Sequence, residues 1–188
     1  MTNSSEIRKQ VAKLRSYTVP SEFGQIPASV PYLDGLLKQV STLNEKHLLF
    51  ALILGECTRA ENHALELHYL RRQIQSLPLQ PIFLTSLATT LANTSGMNVE
   101  ALSVSHEAIA LAKKENRQVR WSLTSQARIA LMLDDYDTLT HTLEELVSDA
   151  GAARSEDTAY EFDFVDQIDT QRFDAGLLER YKELAKPT

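Results

Sequence analysis

Between Pro81 and Pro187 the chain runs for more than a hundred residues without a proline. Proline inside a helix removes a backbone donor and clashes with the preceding turn, a penalty of about 3 kcal/mol. A stretch this long without one admits uninterrupted helices, and no part of it alternates apolar and polar residues as a half-buried strand would. The other prolines fall at 20, 27, 31 and 78, where they mark breaks. The expected fold class is all-α.

Capping chemistry locates the helix starts. Asn3 in "NSSEI" can cap while Glu6 reaches back, and Asn44, Asn98, Asp135 and Ser155 can each accept orphan N–H groups at the head of a helix. The pattern gives helices near 5–17, 30–43, 45–58, 61–77, 82–94, 98–115, 118–133, 136–149, 156–169 and 174–185. "SYTVPSEFGQIPASVP" (residues 16–31) reads as the one long irregular segment. Short connections force successive helices to lie antiparallel, so the chain is a series of hairpins. The domain reading is 1–31 for an N-terminal helix and linker, 32–151 for helical repeats, and 152–188 for an acidic C-terminal hairpin.

Three hairpins superpose. Anchors at Ala64, Ala101 and Leu139 are 37 and 38 residues apart, a spacing characteristic of helical repeat arrays. Leu139, Leu143, Leu146, Val147 and Ala150 fall on one helical face, and Ala101, Val104, Ala108, Ile109 and Ala112 nearly repeat it. The first unit is poorer. His68 and Arg71 stand where the others place Ser105 with Ala108, and Leu143 with Leu146.

"LANTSGMNVEAL" (residues 91–102) resembles the turn of the tetratricopeptide repeat family, with Gly96 at its small position and Ala101 at its close-packing position. "LMLDDYDTL" (residues 131–139) is similar, with Tyr136 in the aromatic place. Ala88, Ala92, Ala127 and Ala130 fit the small residues that let paired helices approach to the short end of an 8–10 Å separation. Several features depart from that family: a longer period, no tryptophan–glycine pairing, no closing proline, and Leu139 where alanine is usual. The resemblance covers roughly residues 44–151. It implies a short α-solenoid of stacked antiparallel hairpins with N- and C-terminal capping helices. "EDTAYEFDFVDQIDTQRFDAGLLERYKELAK" (residues 156–186) would supply the C-terminal cap.

Composition narrows the function. A formal charge of −6 and scattered Lys and Arg argue against nucleic acid, whose phosphates need clustered cations. The most apolar run, residues 48–54, is far short of a membrane span, and the polar N-terminus lacks the apolar core of a signal peptide. Cys57 is the only cysteine, which excludes an intramolecular disulfide and fits a reducing interior, so the expected location is the cytoplasm. Its apolar neighbours make a buried, inert thiol the default.

No phosphate loop, GxSxG, HExxH or dinucleotide fingerprint occurs, and residues 134–145 lack the glycine a calcium loop requires. The acids Asp157, Glu161, Asp163, Asp166 and Asp169 read as the solvated exterior of a capping helix. Neither an enzyme, a cofactor nor a metal site is expected. The leading expectation is a protein-interaction scaffold. Its concave groove, assigned from the repeat resemblance, would be lined by Leu49, Ile53, Phe83, Thr90, Asn93, Trp121, Thr124 and Arg128, with Glu56 and Ser86 beside them. Trp121 and Arg128 are the residue types most often found as anchors. The partner would be a protein or peptide, and a homo-oligomer is compatible with this. The alternative is a closed helical bundle holding a metal or small ligand around His63 and Glu66, which lie one turn apart.

Overall fold

The computed structural model describes residues 4–149 and 164–184. The 156–163 part of the helix expected at 156–169, the caps Asn3 and Ser155, the array's end at Gly151, and the acids Asp157, Glu161 and Asp163 lie outside these residues. The described chain is predominantly helical, with α1 (Ser4–Leu14), α2 (Ser29–Leu37), α3 (Leu43–Arg59), α4 (His63–Ser76), α5 (Pro81–Ala92), α6 (Asn98–Glu115), α7 (Val119–Met132), α8 (Tyr136–Asp149) and α9 (Ala175–Leu184). Within each of two compact units consecutive helices pack in order, and among the described residues no helix is long and apolar enough to cross a membrane.

The segment expected to be irregular instead forms an antiparallel hairpin, β1 (Thr18–Ser21) with β2 (Gly24–Pro27), pairing Val19 with Ile26. Gly24, at φ +87°, takes the left-handed turn position, and Ser21 Oγ ties the loop by accepting from the N–H of Phe23. The C-terminal reading also changes. Residues 164–169 contain one 3₁₀ turn, Val165–Gln167, rather than the end of an α-helix.

The chain divides into two compact units between Leu79 and Gln80. In the first, α2 packs on α1 and α3, and α3 on α4. Its core holds Ile7, Val11, Val30, Leu33, Leu49, Phe50, Ile53, Leu65 and Leu70. Two ion-pair systems sit against it. Glu56, only 3% exposed, accepts from Arg15 Nε (2.9 Å), Arg59 Nη1 (2.5 Å) and Ser29 Oγ (3.0 Å). Asp34 accepts from Arg72 Nη1 at 2.6 Å and pairs with Lys38 at 2.8 Å. Burial pushes the Asp34 carboxyl up, but Lys38 and Arg72 pull it further down, to a net value below the usual range.

The second unit is built on α5–α6 and α7–α8, with α9 against α8. The buried stripe of α6 is Ala101, Ser105, Ala108, Ile109 and Ala112. Its spacing matches Leu139, Leu143 and Leu146 of α8, with Ser105 rather than the expected Val104 at the second place. Leu177 and Tyr181 continue the register into α9. Burying each such leucine contributes roughly 1.5–3 kcal/mol.

The tight turns repeat too. Glu61 (φ +51°), Gly96 (φ +81°) and Asp134 (φ +58°) adopt the left-handed conformation in the three hairpins. Asn62 then caps α4 by accepting from the N–H of Leu65, and Asp135 caps α8 by accepting from the N–H of Thr138. Asn98 and Asn44 do not cap. The N-cap of α6 is Met97, without a side-chain bond, and Thr42 caps α3.

The first anchor also needs correction. Ala101 and Leu139 are fully buried, but Ala64 is exposed and Leu65 takes the inward place. His68 explains the weak match of that hairpin. Its ring lies 5.2 Å from Phe23, at the tip of the β-hairpin, and 5.1 Å from Tyr69, while Asn62 Nδ2 donates to the Phe23 carbonyl. Here α4 supports a β-hairpin, which the other two second helices do not.

Candidate partner-binding face

Within the second unit, α5 carries no charged residue, and the whole stretch from Gln73 to Val99 has none. The polar groups of α5 turn back on their own helix: Thr85, Thr89 and Thr90 hydroxyls donate to the carbonyls of Pro81, Thr85 and Ser86. Ile82, Ser86 and Thr89, with the C-cap Asn93, are accessible at i, i+4, i+7 and i+11 and form one stripe, beside which Ala92 is half-buried. α7 repeats this spacing with Trp121, Ser125, Arg128 and Met132.

The two stripes share a side. Alternating antiparallel connections make α5 and α7 run the same way. The helices pack directly, and Thr85 Oγ1 lies 3.1 Å from Ser122 Oγ between them. On each helix the stripe lies opposite the buried face, which is Leu84, Ala88 and Leu91 on α5 and Leu123, Ala127 and Ala130 on α7. The result is a shallow, largely uncharged surface with one tryptophan, one methionine 52% exposed, and one arginine. Arg128 places its guanidinium 5.9 Å from the ring of Phe164, so the chain itself orients it.

The expected groove residues divide by accessibility. Asn93 is exposed, and Trp121 and Arg128 are half-buried on the stripe. Phe83, Thr90 and Thr124 are buried in the second unit, and Leu49 and Ile53 are core residues of the first. Glu56 is the buried carboxylate described above. These six present almost no surface in this conformation. Their register was set by the repeat resemblance, which does not allow for the second face that α5 and α7 give up to one another. Ile82, Thr89, Ser125 and Met132 join Ser86, Asn93, Trp121 and Arg128 in completing the i, i+4, i+7, i+11 spacing of the two stripes. The solvent side of α3 offers Asn44, Ala51, Gly55 and Thr58, with Arg59 at its end already paired to Glu56.

On the opposite layer of the second unit, α6 and α8 flank a cleft of about 450 Å³. His106 and Lys113 line one wall, Asp137, His141 and Glu145 the other, and Gln126 of α7 forms the floor. Gln126 is buried and joins both walls: its Nε2 donates to Ser105 Oγ (3.1 Å) and its Oε1 accepts from Thr142 Oγ1 (2.9 Å). At the rim, Lys113 Nζ meets Glu145 Oε1 at 2.5 Å.

For the bundle reading, His63 Nδ1 lies 3.4 Å from Glu66 Oε2, and Glu66 also accepts from Thr58 Oγ1 at 2.7 Å. Among the described residues no three His, Cys, Asp or Glu side chains are grouped to hold a metal ion. Cys57 is fully buried, and burial, with Glu66 and Glu56 nearby, pushes its thiol up to about 12. Compared with family models, curated proteins and solved structures, the chain matches none.

Proposed function

We propose that this protein is a non-enzymatic interaction scaffold: a short tetratricopeptide-like α-solenoid that receives a peptide or helix of a partner protein on the α5/α7 face. The observation that carries this reading is the pair of matched accessible stripes on two adjacent helices running the same way. Such a surface offers a two-helix platform for an elongated segment, with Trp121, Arg128 and Met132 as anchors and Ser86, Thr89, Asn93 and Ser125 as polar contacts.

A second observation supports the repeat architecture. Side-chain bonds recur at the repeat spacing: Asp34 with Arg72, and Asp134 with Arg172, are 38 residues apart. Gln80 with Arg117, and Thr85 with Ser122, are 37 apart. Bonds between like positions of successive hairpins are what a stack produces, because each unit touches the next in the same way.

The test is site-specific photo-crosslinking in the native cell. A photoreactive residue at position 125 should trap a discrete protein that the same group at exposed Glu107, on the other layer, does not. Arg128→Ala should reduce that product while leaving the chain folded, with only a small drop in melting for the lost contact with Phe164. Identical products from both positions would remove the face from consideration.

A further inference from the structure

The two layers of the second unit are joined differently. α5 and α7 pack directly, whereas α6 and α8 stand apart across the 450 Å³ cleft. Gln126 and the Lys113–Glu145 pair both link the α6 and α8 walls. Gln126 does so at the buried apex, beside the α5/α7 contact. The Lys113–Glu145 pair does so at the rim, with its side chains 48% and 27% exposed. A rotation of one hairpin against the other about the α5/α7 contact displaces the apex little and the rim most.

From this lever we infer that the α6/α8 cleft is an adjustable wedge and that Lys113–Glu145 is the tie across it. The tie sets the angle between the two hairpins, and through the common pivot it sets the spacing of the stripes on the far layer. A solvent-facing ion pair adds little to global stability. At the end of a lever it needs only to bias a soft angular motion. Gln126 holds the apex with neutral hydrogen bonds that salt screens weakly, whereas the rim tie is coulombic and exposed to screening. Ionic strength is therefore a control on the opening.

The experiment measures the opening directly. Spin labels on Glu107→Cys in α6 and Glu144→Cys in α8 report the wedge by pulsed dipolar spectroscopy in the full chain. Cys57 can stay, because its buried thiol does not take label. Glu145→Lys should shift the label distance outward and broaden its distribution. The swap Lys113→Glu/Glu145→Lys should restore it, and 1 M KCl should move the wild type toward the single variant. If Glu145→Lys loses helix content, Glu145→Gln, which keeps the side chain's shape, is measured in its place. A distance unchanged in the folded single variant, or not restored by the swap, overturns the tie.

The link from wedge to binding rests on the scaffold reading. A restored and shifted distance with crosslinking from position 125 unaltered would leave the tie standing and count against the face. Loss of crosslinking in the single variant and recovery in the swap would support both.

Discussion

The two compact units bury polar groups by opposite means. Residues 4–79 use charge: Glu56 is enclosed by Arg15, Arg59 and Ser29, and Asp34 by Arg72 and Lys38. The described residues of the second unit use neutral hydrogen bonds in their core, Thr85 with Ser122 and Gln126 with both Ser105 and Thr142. A buried carboxylate depends on its partners, since losing them strands a charge, whereas a hydroxyl or amide that loses one bond can fall back on its own helix. The first unit should therefore respond steeply to changes in charge and the second to changes in volume.

Four substitutions would sharpen or break that contrast. Ala101→Arg should have the largest effect. Overpacking a fully buried alanine costs about 1–3 kcal/mol, and burying an unpaired guanidinium adds several more. Circular dichroism should show melting far below wild type, and an unshifted melt would mean that Ala101 is not at a helix crossing.

Next comes the double variant Arg15→Ala/Arg59→Ala, which leaves Glu56 buried beside Ser29 alone. A loss of about 3–5 kcal/mol is expected, and adding Glu56→Gln to the pair should recover much of it. Urea denaturation checks both. A double variant as stable as wild type would show that water already reaches the carboxylate.

Asp135→Ala removes the α8 cap at about 0.5–2 kcal/mol. The backbone N–H of Thr138 and then its hydroxyl, at 3.0 and 2.7 Å, hold the Asp135 carboxyl below its usual range. A depressed folded value stabilises above the unfolded pKa of about 3.9, and that contribution is lost as pH falls through the folded value. The penalty of Asp135→Ala should thus be present at pH 7 and shrink below about pH 4. An equal penalty at pH 7 and pH 2.5 would contradict the assignment.

The smallest effect belongs to Gln126→Leu, at about 0.5–1.5 kcal/mol, because Ser105 and Thr142 keep bonds to Leu102 and Thr138 carbonyls. A loss as large as that of the arginine pair would erase the difference between the units.

The second unit was the more legible in sequence, for the same reason. Its helices are specified by spacing, and α6 and α8 have the bounds that apolar periodicity and capping gave. Asp135 could be read as a cap because a carboxylate at that place has few other uses. Asn44 and Asn98 could not be separated from Thr42 and Met97, since neighbouring residues compete for one cap position. The β-hairpin was hidden by its size: each strand has four residues and contains a proline, too little for a period-2 signal. The readable clue was Val19 and Ile26 flanking a turn with Gly24. The ion-pair systems of the first unit join residues 38 and 41 apart, a contact that spacing along one helix does not reveal. The proposed face was half legible: Trp121, Arg128 and Asn93 lie on its accessible stripes, whereas Phe83, Thr90 and Thr124, placed by a register borrowed from a resemblance, are buried.

α7 buries Ser122, Leu123, Thr124, Gln126, Ala127, Ile129 and Ala130, so most of its circumference is covered. A helix enclosed on this many sides cannot fray alone, and its neighbours cannot leave without uncovering it. The second unit should therefore open as a single cooperative block rather than peel hairpin by hairpin, with its slowest amide exchange in α7.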